Sequence, residues 1–259
     1  MSLDLSPAPG AAPLAKQVRA QASMEVRLLV RNGEQLLLAV VIPVLVLVGG
    51  VLALKHVDLD LAHRPVDELT PGVLALAIMS SAFTSVAIAT GFERRYGVLK
   101  RLGATPLPRT GLLAGKVLAL LVVEALQVVL VAVVGLVLGW SPSWSGPGVV
   151  GFLLALLLGT AAFASLGLLM AGTLRAEATL AAANLVYLLL LVTSGIAVPL
   201  DRFPDGVRAV LELLPAAALA EGLRDCLSDA AGFPVGELVV LLAWGAAGAV
   251  LAARWFRWE

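Results

Sequence analysis

An all-α integral membrane protein with six transmembrane helices is the fold class this sequence predicts. Three observations carry that reading. The 259 residues are 60% hydrophobic and only 14% charged, with a mean hydropathy of +0.97, whereas soluble domains run at about 25% charged and about 45–50% apolar. The apolar residues gather into six runs, each near the ~20 residues a helix needs to cross ~30 Å of hydrocarbon. The runs are continuous, without the two-residue alternation of a membrane barrel. In lipid, only helices and closed barrels satisfy the backbone internally.

Taken in order, "MSLDLSPAPGAAPLA" is rich in Pro, Ala and Ser, and residues 1–13 read as a disordered tail. No secretory signal is expected, because a long polar stretch precedes the first apolar run and no small-residue cleavage site follows it closely. Residues 14–33 read as an amphipathic helix on the membrane surface. Leu14, Val18, Ala22, Val26, Leu29 and Val30 follow helical spacing, while Lys16, Arg19, Ser23, Arg27 and Arg31 fall largely on the other face. The transmembrane domain is expected over residues 34–259. Its spans are Leu36–Leu54 with Pro43 as a kink, Gly72–Phe92, Leu112–Leu138, Val149–Gly172, Leu180–Val198 and about Glu237–Phe256. Between the last two, Asp201–Gly236 reads as two short helices broken at Pro215, dipping into the outer leaflet in a re-entrant-like pair. Val207, Val210, Leu211 and Leu214 form one apolar face; Leu219, Leu223 and Leu227 form the other.

Orientation follows from the loop cations. With Lys16, Arg19, Arg27, Arg31, Arg94, Arg95, Lys100, Arg101, Arg109, Lys116, Arg175, Arg254 and Arg257 on one side, the other keeps Lys55, Arg64, Arg202, Arg208 and Arg224. Thirteen against five places both termini in the cytoplasm. The formal net charge of zero argues against nucleic acid as a partner. The single cysteine, Cys226, forms no intrachain disulfide and no thiolate metal framework. His56 and His63 share one polar loop and read as solvated.

The stretch "ERRYGVLKRLGATPLPRTG", Glu93–Gly111, holds five cations between two spans. Good helix formers over Glu93–Leu102 predict a short cytoplasmic helix. Gly103 would end it in the left-handed conformation, Pro106 and Pro108 forbid its continuation, and Thr110 would cap the next span. Topology explains the cations but not Tyr96, Val98, Leu99 and Leu102 among them. Apolar residues on a small exposed helix point to a docking surface. Tyr96 and Leu99 are one turn apart and would share its face.

No catalytic constellation stands out. "GLLAGKVL" falls one residue short of a phosphate loop between Gly111 and Gly115, and Val117 stands where Ser or Thr would bind magnesium. HExxH and GxSxG are both absent, so this chain is read as non-enzymatic, with no cofactor of its own. Inside the third span, Glu124 and its neighbour Gln127 are costly at membrane depth. Glu124 either lines a path or seam, or glues helices through a hydrogen bond. Ser81, Thr84 and Ser85 of "SSAFTS", and Asn184, are further candidates for path or helix seam.

Glu93, Gly97, Leu99, "TPL" at Thr105–Leu107 and Gly115-Lys116 resemble the signature around the first cytoplasmic loop of ABC-2 type permeases. "SGIAVPLDRFPDGVRAVLELLPAAALAEGLR" resembles that family's outer segment. The likeness spans nearly the whole chain and is closest in style to the permeases of daunorubicin/doxorubicin exporters. The resemblance implies the transmembrane subunit of an ATP-driven exporter of amphiphilic or hydrophobic, drug-like compounds in the plasma membrane. It also implies a homodimer or a heterodimer with a related permease, and a separate ATPase subunit that binds ATP and magnesium. Glu93, Arg94, Arg95, Tyr96, Gly97, Val98, Leu99, Lys100, Arg101 and Leu102 would then form the coupling helix that docks into the ATPase. Export of lipid or lipid-linked glycan is the nearest alternative. A stand-alone channel or secondary carrier belongs to a different class.

Overall fold

A computed structural model describes residues 10–31, 33–55, 64–195, 200, 204–228 and 232–256. His56, His63, Arg202, Arg257 and residues 1–9 of the expected tail lie outside them. The helices are α1 (Leu14–Arg31), α2 (Gly33–Lys55), α3 (Pro65–Met79), α4 (Val86–Arg95), α5 (Val98–Gly103), α6 (Arg109–Val137), α7 (Gly146–Thr173), α8 (Ala176–Thr193), α9 (Asp205–Leu211), α10 (Pro215–Leu227) and α11 (Val235–Trp255). A π-helical stretch, Ser80–Ser85, joins α3 to α4 without a break.

Among the described residues, five helices are long and apolar enough to cross a membrane: Pro65–Arg95, Thr110–Val137, Gly146–Thr173, Ala176–Thr193 and Val235–Trp255. They match five of the predicted runs, with ends shifted by a few residues. The first run falls in α2, which carries Pro43 inside it; there Val41–Leu54 forms a shorter apolar helix. The chain is an all-helical, multi-pass membrane protein.

Helix α7 is the central element, packed against α11, α10, α4 and the π-helical stretch. Its sequence explains the role. Gly148, Gly151, Gly159 and Gly167 are buried, and small residues let helix backbones approach in a membrane, where lipid supplies no hydrophobic drive between helices. A Cβ on Gly167 would stand 2.8 Å from the Phe83 carbonyl oxygen in the π-helical stretch. Backbone cannot swing aside, so Gly167→Ala is expected to lower stability by about 1–3 kcal/mol, the usual cost of overpacking. Gly236, with nothing within 4 Å of an added Cβ, is the control. A purified Gly167→Ala protein that melts with Gly236→Ala would refute the close approach.

Helix α10 lies between α3, α7 and α11. Leu219, Leu223 and Leu227 are buried, as their spacing predicts. On α9 only Leu211 is buried, and Val207 and Val210 are 45% and 62% exposed, because this seven-residue helix touches the core along one edge. Cys226 is fully buried, and burial, reinforced by the nearby Asp225 and Glu237 carboxylates, pushes its thiol up to about 11. Since the thiolate is the reactive form, native Cys226 is expected to stay silent to maleimide. Topology therefore needs introduced cysteines. Ser141→Cys, exposed after α6, should label from outside, and Ser23→Cys, exposed on α1, only after permeabilisation. The reverse pattern would invert the orientation.

Candidate functional site

Helix α4 carries the Pro65–Arg95 span to its end, and the chain then turns at Tyr96 and Gly97. The Tyr96 N–H donates to Phe92 O at 2.9 Å and the Gly97 N–H to Arg94 O at 3.1 Å. Gly97 sits at φ +68°, the left-handed conformation that ends helices and favours glycine. Helix α5 follows with only six residues. The single helix expected over Glu93–Leu102 is therefore a helix end, an elbow and a short second helix. Gly97 takes the left-handed role expected of Gly103, which is not among the glycines with positive φ. Thr110 does not cap α6, which starts at Arg109 after an extended Pro108 with no side-chain cap.

The elbow is rooted from inside. Arg94 donates from Nη1 to Gly172 O at 2.7 Å and from Nη2 to Leu174 O. A cation thus closes the C-terminal end of α7, where unpaired carbonyls gather partial negative charge. Arg94 is half-buried and tied to α7. Arg95 pairs with Glu177 of α8 and stands 5.8 Å from the centre of the Tyr96 ring, itself stacked 6.0 Å from Phe92. Leu99 is buried within this chain, at 4% exposure, whereas Tyr96 is 64% exposed. The pair expected to share one docking face is split, because Gly97 breaks the helix between them. Lys100 and Arg101 are exposed, and Val98 and Leu102 half-buried.

Glu93 faces inward. Its Oε1 accepts from Lys116 Nζ of α6 at 2.7 Å, and the same ammonium donates to Glu25 Oε1 of α1 at 2.9 Å. Gln21 Nε2 also donates to Glu25 Oε1, at 2.9 Å. The side chains of Lys116, Glu25 and Glu93 are only 16%, 15% and 21% exposed. Beside them, "GLLAG" serves packing. An added Cβ would stand 2.6 Å from Gln21 Cγ at Gly115 and 3.1 Å from Leu14 Cδ1 at Gly111. Two glycines four residues apart open the surface of α6 to α1, the small-xxx-small arrangement. As a result α1 buries Gln21 and Ala22 against α6 and leaves Leu14, Met24, Leu28 and Val30 exposed. The face predicted from its apolar spacing is only partly the one that packs.

Deeper in the bilayer region, α6 makes two buried polar contacts. The Thr160 hydroxyl of α7 lies 2.6 Å from Glu124 Oε2 and 2.7 Å from Leu156 O, and its single proton serves one of the two. Ser81 donates to Gln127 Oε1 at 2.7 Å. Glu124 and Gln127 are 4% and 2% exposed, so both are enclosed within this one chain. Ser85 donates to Ser80 O at 3.2 Å, a five-residue reach that fits the π-helical turn. Thr84 Oγ1 is buried without a partner among the described residues. Asn184 stands apart, exposed on α8, and does not join the Glu124 cluster.

The sequence profile described as ABC-2 type transporter matches residues 16–227. The chain belongs to the ABC-2 type transporter family. No curated protein matches the chain. Membership makes this ABC-2 protein the membrane-spanning permease subunit of an ABC transporter, working with an ABC ATPase subunit. The matched range covers α1 from Lys16 onward, the elbow and all three members of the Glu25–Lys116–Glu93 triad. Sequence reading found Glu93 and Lys116 but missed Glu25. A lone acid among four cations in α1 was the available signal.

The permease also yields a test of Glu124. Single interhelical hydrogen bonds in membranes average about 0.6 kcal/mol and reach about 1.7 kcal/mol, so Thr160→Val should lower stability within that range. Glu124→Gln supplies an amide donor to Thr160 and should match wild type in stability and in transport across pH. Glu124→Leu should be the least stable of the three. Loss of transport in Glu124→Gln with unchanged stability would restore the path role.

Proposed function

We propose that this chain is the transmembrane subunit of an ATP-driven exporter of amphiphilic or hydrophobic, drug-like compounds. It sits in the plasma membrane with six spans, α2 being the first, and with both termini cytoplasmic. The α9–α10 pair dips into the outer leaflet as a re-entrant-like unit. ATP and magnesium bind to the separate ATPase subunit. The observation that carries this reading is the elbow. Arg95, Tyr96, Lys100 and Arg101 are exposed at its tip, while Glu93, Arg94 and Leu99 tie its root to α6, α7 and the interior. A rigidly rooted tip between two spans transmits force when a partner grips it.

A dimer, of two copies or of this chain with a related permease, is favoured by α8. Asn184 shares its exposed surface with Leu185, Leu188, Leu189 and Val192, each 57–59% exposed. An amide facing hydrocarbon without a hydrogen bond is costly, and a second chain would cover it. The test is reconstitution with the ATPase in inside-out vesicles. ATP-dependent uptake of a fluorescent cationic amphiphile is the expected result. Uptake of a fluorescent lipid-linked glycan or lipid instead would move the substrate class. Transport without any ATPase would sink the reading in favour of a channel or secondary carrier.

A further inference from the structure

We infer that α1 is an anionic-lipid-reading arm, and that Lys116 passes its position to the coupling elbow. The inference rests on the proposed function for its ATPase readout only. Two independent features of α1 carry it. The first is charge. Lys16, Arg19, Arg27 and Arg31 are all exposed. At 100° per residue they fall in one sector, opposite the Ala22–Glu25 side that meets α6. The lone acid of the helix, Glu25, is taken up by Lys116, so the outward face carries four cations and no acid, with Ser23 and Val30 among them. Exposed Met24 and Leu28 flank it along one edge. A basic face beside an apolar edge fits the headgroup and acyl boundary of an anionic membrane.

The second feature is the shared ammonium. Glu25 on α1 and Glu93 at the root of the elbow have no direct bond to each other; both bind the Nζ of Lys116. A shift of α1 along α6 therefore redistributes the Lys116 bonds between its own carboxylate and that of the elbow. The interface allows such a shift. It is built on Gly111 and Gly115, over which the flexible side chains of Leu14 and Gln21 lie. A cavity of about 70 Å³ opens beside it, lined by Glu25, Lys116, Ser81, Ser85 and Thr90. The space, walled on its other sides by Val86, Ala89, Ala119 and Leu120, exceeds what one water needs and gives the lysine room to move.

The test uses full-length permease with an environment-sensitive fluorophore on Ser23→Cys, in the middle of the basic face. The probe is a vesicle of phosphatidylcholine alone or with phosphatidylglycerol. Wild type should shift its emission to the blue only with the anionic lipid, and the ATPase rate of the permease–ATPase complex should rise in the same vesicles. Each Lys or Arg near such a surface is worth about fivefold in binding. Arg19→Gln with Arg27→Gln should therefore weaken the response about thirtyfold and bring the anionic-to-neutral rate ratio towards one. Glu25→Gln and, separately, Glu93→Gln should keep the blue shift and lose the rate ratio. Equal emission in both vesicles overturns the inference, as does a rate ratio that survives in either glutamate variant. So does loss of ATPase capture by the arginine variant at unchanged lipid response, which would assign the basic face to the ATPase. If no ATPase binds the permease at all, the proposed function fails, while the fluorescence arm still decides the lipid contact.

Discussion

Tyr96→Ala is expected to weaken recovery of the ATPase subunit about thirtyfold and to leave the permease folded. Tyr96 is the large aromatic side chain at the elbow tip and is 64% exposed. Its intramolecular contacts are with Phe92 and Arg95 on its own helix, so truncation opens no interior cavity. Aromatic anchors in small interfaces commonly cost about 2 kcal/mol or more when truncated, and about 1.4 kcal/mol is a factor of ten in affinity. Leu99→Ala should behave differently. Leu99 is 4% exposed, and emptying a core leucine costs about 2–5 kcal/mol of stability, so its defect should show as a lower melting temperature. The contact with Gly172 and Leu174 makes Arg94 part of the helix packing, and Arg94→Ala should destabilise. Lys100→Ala and Arg101→Ala, on exposed positions, should change capture little. Titrating solubilised permease against purified ATPase separates the classes. Wild-type capture by Tyr96→Ala would show that the elbow tip is not the grip.

Lys116→Met is expected to be the most damaging single change to the fold. It removes the one cation between Glu25 and Glu93, whose side chains are 15% and 21% exposed, and leaves two carboxylates facing each other in a poorly hydrated place. Breaking a buried pair by deleting one partner costs about 3–5 kcal/mol, mostly because the remaining charge is uncompensated. The expected rescue follows from that cause. Lys116→Met combined with Glu25→Gln and Glu93→Gln should recover most of the lost stability, since neutral amides and a thioether bury without a charge penalty. Apparent melting temperature of the purified permease reads both. If the triple variant is no more stable than Lys116→Met, the triad holds the fold by packing and not by charge.

Much of the architecture was legible in one dimension. Continuous apolar runs of membrane length have one solution in lipid, the helix, so five spans came from composition alone, and the two short helices α9 and α10 from spacing. The candidate docking segment was visible for a similar reason. Five cations with Tyr96 and Leu99 between two spans break the local pattern, and a broken pattern needs no knowledge of neighbours. The same reasoning failed on faces. Leu99 and Tyr96 are separated by the turn at Gly97, and a glycine's φ is decided by the tertiary path of the chain, not by its identity. Gly103 was equally eligible.

Partners across the chain were the least legible. Nothing in sequence ties Glu25 to Lys116, 91 residues away, or Arg94 to the end of α7, 78 residues on. Glu124 was marked by its cost in hydrocarbon, but only packing brings Thr160 to it. The sequence by itself determined that this is a helical membrane protein, how unevenly its cations are shared between the loops, and where a cation-rich stretch interrupts its spans. Those depend on transfer free energies summed over runs of residues. Only the tertiary structure decided which polar groups meet inside, because in lipid each must find a partner across helices, and close approach at Gly111, Gly115 and Gly167 determines which helices are near enough to supply one.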